Sequence, residues 1–182
     1  FEAALSALSK AGAQITRAPF PEFAEVAPIN AKGGFTAAES YAAHRALLAE
    51  KGADYDPRVH VRILRGAQQS AADYIDMINA RASLVARAAA RLAPFDALLM
   101  PTVASLPLVI ADLLTDDEAY ARANLLALRN PTLINMIDGC ALSLPIPATG
   151  GAPVGLMIAG APGMDRAILS IAAGVEVLLA RA

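Results

Sequence analysis

Between Phe95 and Gly160 three mostly apolar runs, each too brief for a helix, are fenced by residues that interrupt regular structure. Ala97 to Met100 lies between Asp96 and Pro101, Ala141 to Leu144 stops at Pro145, and Val154 to Ala159 runs from Pro153 to Gly160. Runs this short with such boundaries read as buried strands, since a helix needs more length to bury a face. The chain must therefore close a core around a few strands, and its remaining segments must cover them.

Those segments read mainly as helices. Glu2 to Ser9 spaces Ala and Leu helically and ends before Gly12, where glycine tolerates the left-handed backbone of a helix end. Gln14 to Arg17 then reads as a short strand, and the Pro-rich run Pro19 to Phe23 as a connection into Ala24 to Ala31, either loop or helix. Thr36 with Glu39 has the capping-box spacing and predicts a helix from about Ala37 to Ala49, closed by Gly52. Asp56 before Pro57 opens a short helix that ends near Gly66. Ser70 with Asp73 opens the longest one, about Ala71 to Ala93, stopped by Pro94. Thr115 with Glu118 predicts a helix to about Leu128, Thr132 to Asp138 a further short one ended by Gly139, and Asp165 caps the last, Arg166 to Ala180.

A chain of 182 residues that is 56% hydrophobic can close one core, or one core plus an appendage. Its formal net charge of -2, with both signs interspersed, offers no basic patch for nucleic acid or an anionic membrane. Cys140 is the single cysteine, which excludes an internal disulfide. With only His44 and His60 beside it, no Cys/His metal site is expected, nor any cofactor, and a reducing cytoplasm fits best. The apolar segment Ala167 to Ala180 is broken by Glu176 and is too short to span a bilayer. Because Phe1 is not an initiator Met and the chain opens directly into a helical pattern, a fragment or processed product is expected.

The common catalytic frames are missing. No serine stands in a Gly-x-Ser-x-Gly elbow, and none of Lys10, Lys32 or Lys51 follows a serine by three residues. No phosphate-binding glycine motif occurs, so Gly150, Gly151, Gly155 and Gly160 read as turn and close-packing positions. His44 beside Arg45 and His60 beside Arg62 read as solvated or peripheral. Asn130, Asn135 and Asp138, gathered around a Pro-Thr turn before a buried strand, can either cap backbone groups or line a pocket. Thr102 follows a strand end, where α/β sheets place ligand-facing loops, and reads equally as a structural turn.

Four blocks, taken in order, resemble a known family. Asp56 to Arg81 (DPRVHVRILRGAQQSAADYIDMINAR), Phe95 to Thr102 (FDALLMPT), Asn130 to Pro145 (NPTLINMIDGCALSLP) and Ala152 to Gly160 (APVGLMIAG), followed by an Asp-capped final helix, are similar to successive C-terminal blocks of amidase-signature enzymes. The resemblance covers essentially the whole chain and implies an α/β fold, helix-rich and partial, with helices packed on a few strands of a mixed sheet. Residues 1–182 would form the C-terminal portion of an amidase domain. Family members hydrolyse amides with a serine nucleophile, a second serine in a cis peptide and a lysine, aided by main-chain donors. Their Gly/Ser-rich block, approximately GGSSGGSA, has no match here, so no catalytic residue is carried over.

What the resemblance does imply is a pocket wall. Ala27 to Arg45 resembles a helical region that can touch substrate, and the turns carrying Thr102, Asn130, Asn135 and Asp138 resemble loops near the acyl pocket. The expected partner of the intact enzyme is a small amide, and the chain alone should be inactive and self-associate through an exposed apolar face. Two rivals remain open: a binding or assembly module on an amidase-derived scaffold, and an enzyme with other chemistry around His44 or His60.

Overall fold

The computed structural model describes residues 1–146, 151–152 and 154–180; Gly150, read above as a turn glycine, lies outside them. In chain order the helices are α1 (Glu2–Lys10), α2 (Val26–Ile29), α3 (Gly34–Lys51), α4 (Pro57–Leu64), α5 (Ala71–Leu92), α6 (Ala111–Leu114), α7 (Asp117–Met136) and α8 (Asp165–Leu179). The strands are β1 (Leu98–Pro101), β2 (Cys140–Ile146) and β3 (Val154–Gly160), with single 3-10 turns at Pro21–Glu25, Gly52–Asp54 and Arg65–Gln68. The chain divides into two compact units, one formed by Phe1–Pro19 with Ala88–Ala182 and the other by Phe20–Arg87.

The first unit holds the sheet. Its order is β1-β3-β2, and both pairings are antiparallel, so each of the three expected strands forms. Leu142 stands opposite Ile158 and Leu144 opposite Leu156, which turns alternate side chains of β2 to one face. On that face Leu156 and Ile158 are fully buried under Ile168, Ala172, Val175 and Leu179 of α8 and Ala4 and Leu8 of α1. The four α8 positions recur at helical spacing, and each buried Leu, Ile or Val side chain contributes about 1.5–3 kcal/mol. The other face of β2 leaves Ala141, Ser143 and Pro145 exposed.

Four local expectations for this unit need correction. Asp165 does not cap the last helix but is its first residue, behind Met164, with no side-chain cap. Gln14 to Arg17 is not a strand; all four residues are exposed, leaving no apolar face to pair into a sheet, and Arg17 is instead tied to Glu2 by an ion pair. The expected break between two helices at Asn130 to Pro131 does not occur, and α7 runs through Pro131. An interior proline costs about 3 kcal/mol in a helix. Here buried Asn130, Ile134 and Ile137 anchor the chain on both sides of it, and that packing outweighs the local preference. At the start of α7 the cap is Asp116, whose carboxylate accepts from the Ala119 amide at 2.9 Å, so the Thr115 and Glu118 pair is not needed.

The second unit is helical. Asp56 caps α4 as expected, accepting from the amides of Arg58 and Val59. Ser70 and Asp73 form the reciprocal box that opens α5: the Ser70 hydroxyl accepts from the Asp73 amide, and the Asp73 carboxylate accepts from the Ser70 amide. The Thr36 and Glu39 box does not form. α3 begins earlier, at Gly34, behind Gly33 in a left-handed conformation, and Glu39 instead accepts from the Tyr74 hydroxyl at 3.0 Å. The Gln69 amide holds this turn by donating to the carbonyls of Lys32 and Gly34. Arg87 pairs with both oxygens of Glu25, at 2.5 and 2.6 Å.

Asp73 gives this unit a pH dependence. The Lys32 ammonium first, and then the amide and hydroxyl of Ser70, hold its carboxyl down from 3.8 to about 2. A carboxyl depressed by folding stabilises the folded state above its ordinary range, and that contribution is lost as pH falls from 3.8 towards 2. Chemical denaturation at a series of acidic pH values is expected to show wild type losing more stability across this window than Asp73→Asn. Parallel pH profiles for the two proteins would contradict the assignment.

Candidate functional site

The open face of the sheet carries two polar side chains, Thr102 and Ser143, that meet over the central strand. β1 ends at Pro101, and the Thr102 amide continues the ladder by donating to the Gly155 carbonyl at 2.9 Å. Across the central strand, the hydroxyls of Thr102 and Ser143 meet at 2.6 Å. They can do so only because Gly155 lies between them. A Cβ there would stand 2.4 Å from the Ser143 oxygen and 2.6 Å from the Thr102 oxygen. Glycine thus lets two flanking strands join their hydroxyls over the strand that separates them.

This pair borders a cavity of about 580 Å³, whose wall also includes Asn135, Cys140, Met157 and Asp165. A hydroxyl can donate or accept, and an exposed carboxamide can do both, so the wall can match an amide or carboxyl group of a ligand. Cys140 contributes little chemistry of its own, its thiol facing the Ala161 carbonyl at 3.7 Å.

Asn130 serves a different cavity, of about 760 Å³, which it lines with Pro101, Arg129 and Leu133. It is only 3% exposed. Its amide nitrogen donates to the Pro101 carbonyl at 2.7 Å, and its oxygen accepts from the Arg129 guanidinium at 3.1 Å. Asn130 therefore clamps the end of β1 to α7.

Asp138 borders neither cavity. It lies just past α7 with φ at 58°, the left-handed position usually given to glycine, and its amide donates to the Asn135 carbonyl. The next amide, that of Gly139, donates to Ile134, which completes the helix-ending motif. Glycine is needed at 139 for another reason: a Cβ there would meet the Gly160 carbonyl at 2.8 Å.

Of the four residues singled out from sequence, Thr102 and Asn135 thus share one cavity, Asn130 lines the other, and Asp138 ends a helix. Ser143, Asp165 and Arg129 were missed as wall residues. Strand alternation alone places Ser143 beside Ala141 and Pro145 on the open face, and that signal was available. The two histidines are not merely solvated. Both are half-buried against Tyr55 in the second unit, with His44 Nδ1 2.8 Å from the tyrosine hydroxyl and the His60 ring 6.3 Å from the tyrosine ring. Among the described residues no group of three or more His, Cys, Asp or Glu side chains is placed to hold a metal, and no helix is long and apolar enough to cross a membrane.

Comparison with known proteins places this geometry in context. A family model described as Amidase matches residues 1–169. The chain is 35% identical over 179 residues to the 2-amino-5-chloromuconic acid deaminase of Comamonas testosteroni, covering 98% of this chain and 38% of that protein. Kluyveromyces lactis allophanate hydrolase superposes with a TM-score of 0.79 at 25% identity, over 97% of this chain and 28% of its own. The structure of 6-aminohexanoate cyclic dimer hydrolase superposes with a TM-score of 0.77 at 19% identity, over 98% of this chain and 40% of its own, a likeness of fold alone. The expected fold class, helices on a few strands of an amidase-signature sheet, agrees with these neighbours, although the three described strands pair only antiparallel.

Proposed function

This chain belongs to the Amidase family, and from that premise we propose that it forms the C-terminal part of an enzyme that hydrolyses a carboxamide C–N bond. The observation that carries the reading is a family match over residues 1–169 in a chain that spans 38% of its deaminase relative's length. In the intact enzyme a serine oxygen attacks the carboxamide carbon, and the C–N bond breaks with nitrogen leaving as ammonia or an amine. Water then cleaves the acyl ester and restores the serine. The serine pair and the lysine are proposed to lie in sequence beyond this chain, which is proposed to be inactive alone. The role of Thr102, Ser143 and Asn135 is to form one wall of the acyl pocket, with Asn130 holding the strand end from which Thr102 projects.

A chimera tests this. This chain replaces the matching segment of the Comamonas relative, and ammonia release is followed from a panel of small carboxamides. The control that the chimera is a working enzyme is 2-amino-5-chloromuconic acid, whose nitrogen sits on a vinyl carbon and not in a carboxamide. Turnover is expected, whereas a folded chimera without turnover would contradict the assignment.

The intact enzyme is proposed to be cytoplasmic and to act on a small amide without cofactor, metal, nucleic acid or membrane. The chain alone is proposed to self-associate. Ile110 is 74% exposed and Leu125 70% exposed, and Val109 and Leu114 are exposed with them, the type of apolar surface that drives association. Light scattering over a concentration series is expected to give a mass that rises with concentration; a constant 18.8 kDa species would count against it.

A further inference from the structure

The larger cavity contains a cation that the proposed hydrolysis does not use. Its wall is mainly apolar, with Met100, Val103, Leu106, Leu108 and Leu133, and Arg129 interrupts it. The Arg129 Nε donates to Asn130, which is itself nearly fully buried and anchored to the Pro101 backbone. One edge of the guanidinium is therefore oriented by a fixed partner. Among the described residues no carboxylate lies against the rest of it.

A guanidinium oriented in this way has its remaining N–H groups available in a planar fork, which matches the two oxygens of a carboxylate. The apolar wall beside it would take a hydrocarbon chain. We propose that Arg129 is a specificity-determining residue that receives a ligand carboxylate while the ligand's apolar portion fills the cavity of about 760 Å³. The ligand class is an aliphatic or unsaturated carboxylic acid. Its identity as the substrate of the intact enzyme rests on the amidase reading, but its binding here does not.

The test uses hexanoate and its neutral counterpart hexanamide, titrated into the isotopically labelled chain and followed by NMR. Phe1 also lines this cavity, so the chain is N-acetylated to remove the terminal charge. Hexanoate is expected to saturate shifts at Leu106, Leu108 and Leu133 with an affinity about tenfold above that of hexanamide. Arg129→Gln should lower hexanoate affinity about tenfold and leave hexanamide unchanged. Should that variant lose its dispersed spectrum, Arg129→Lys gives the same reading, with several-fold weaker hexanoate binding as the fork becomes a point charge. Equal affinity for the two probes, no saturation by hexanoate, or an equal loss of both on substitution would overturn the proposal. Because no hydrolysis is read, carboxylate-selective binding beside a silent chimera would sink only the amidase reading, and the converse result only this one.

Discussion

Gly66→Ala is expected to destabilise the helical unit by about 3 kcal/mol or more, at the upper end for one added methyl group. A Cβ at this position would lie 2.1 Å from the Ala37 carbonyl oxygen and 2.6 Å from the Tyr41 Cβ. The oxygen belongs to the backbone of α3 and cannot rotate aside, so the turn Arg65–Gln68 would have to lift from the helix. The entropy removed from the unfolded chain returns only about 0.4–1 kcal/mol. Urea denaturation measures the balance. Gly174→Ala is the contrasting case: a Cβ there meets nothing within 4 Å, and the gain in helix propensity should stabilise by up to about 1 kcal/mol. Equal midpoints for wild type and Gly66→Ala would show that this turn is not packed as described.

The second large effect concerns the hydroxyl pair. Gly155→Val should separate Thr102 from Ser143 and cost about 2–3 kcal/mol, because the added carbons occupy the space where the two oxygens meet. The geometry also predicts coupling. Gly155→Ala should cost less in a Ser143→Ala background than in wild type, since the nearest clash, at 2.4 Å, is then gone. Strict additivity across this cycle would mean that the three positions do not share one space.

What the sequence revealed of the fold follows from how local each cause is. Ser70 with Asp73 and Asp56 before Pro57 were legible because the capping group and the amides it serves are neighbours in the chain. Thr36 with Glu39 has equivalent spacing and fails because the Gly33 to Gly34 turn starts α3 earlier and Tyr74, far along the chain, takes the carboxylate. Pro131 argued for a break that long-range packing of Asn130 and Ile134 prevents. The same division holds for the candidate site. Thr102 could be placed at a strand end from its own neighbours. Its partner Ser143 depends on the register of two strand pairings through β3, which no local pattern specifies. Arg129 was illegible for a like reason: its orientation comes from Asn130, and that of Asn130 from the end of β1.

We propose that this chain builds one wall of an amidase pocket and that the serine nucleophile is supplied by sequence outside residues 1–182. Ammonia release from a panel of small carboxamides by the purified chain, with and without a serine-directed inhibitor, measures this directly. No release above the uncatalysed rate is expected in either condition. Turnover by the chain alone, abolished by the inhibitor, would contradict it and place a working serine within these 182 residues.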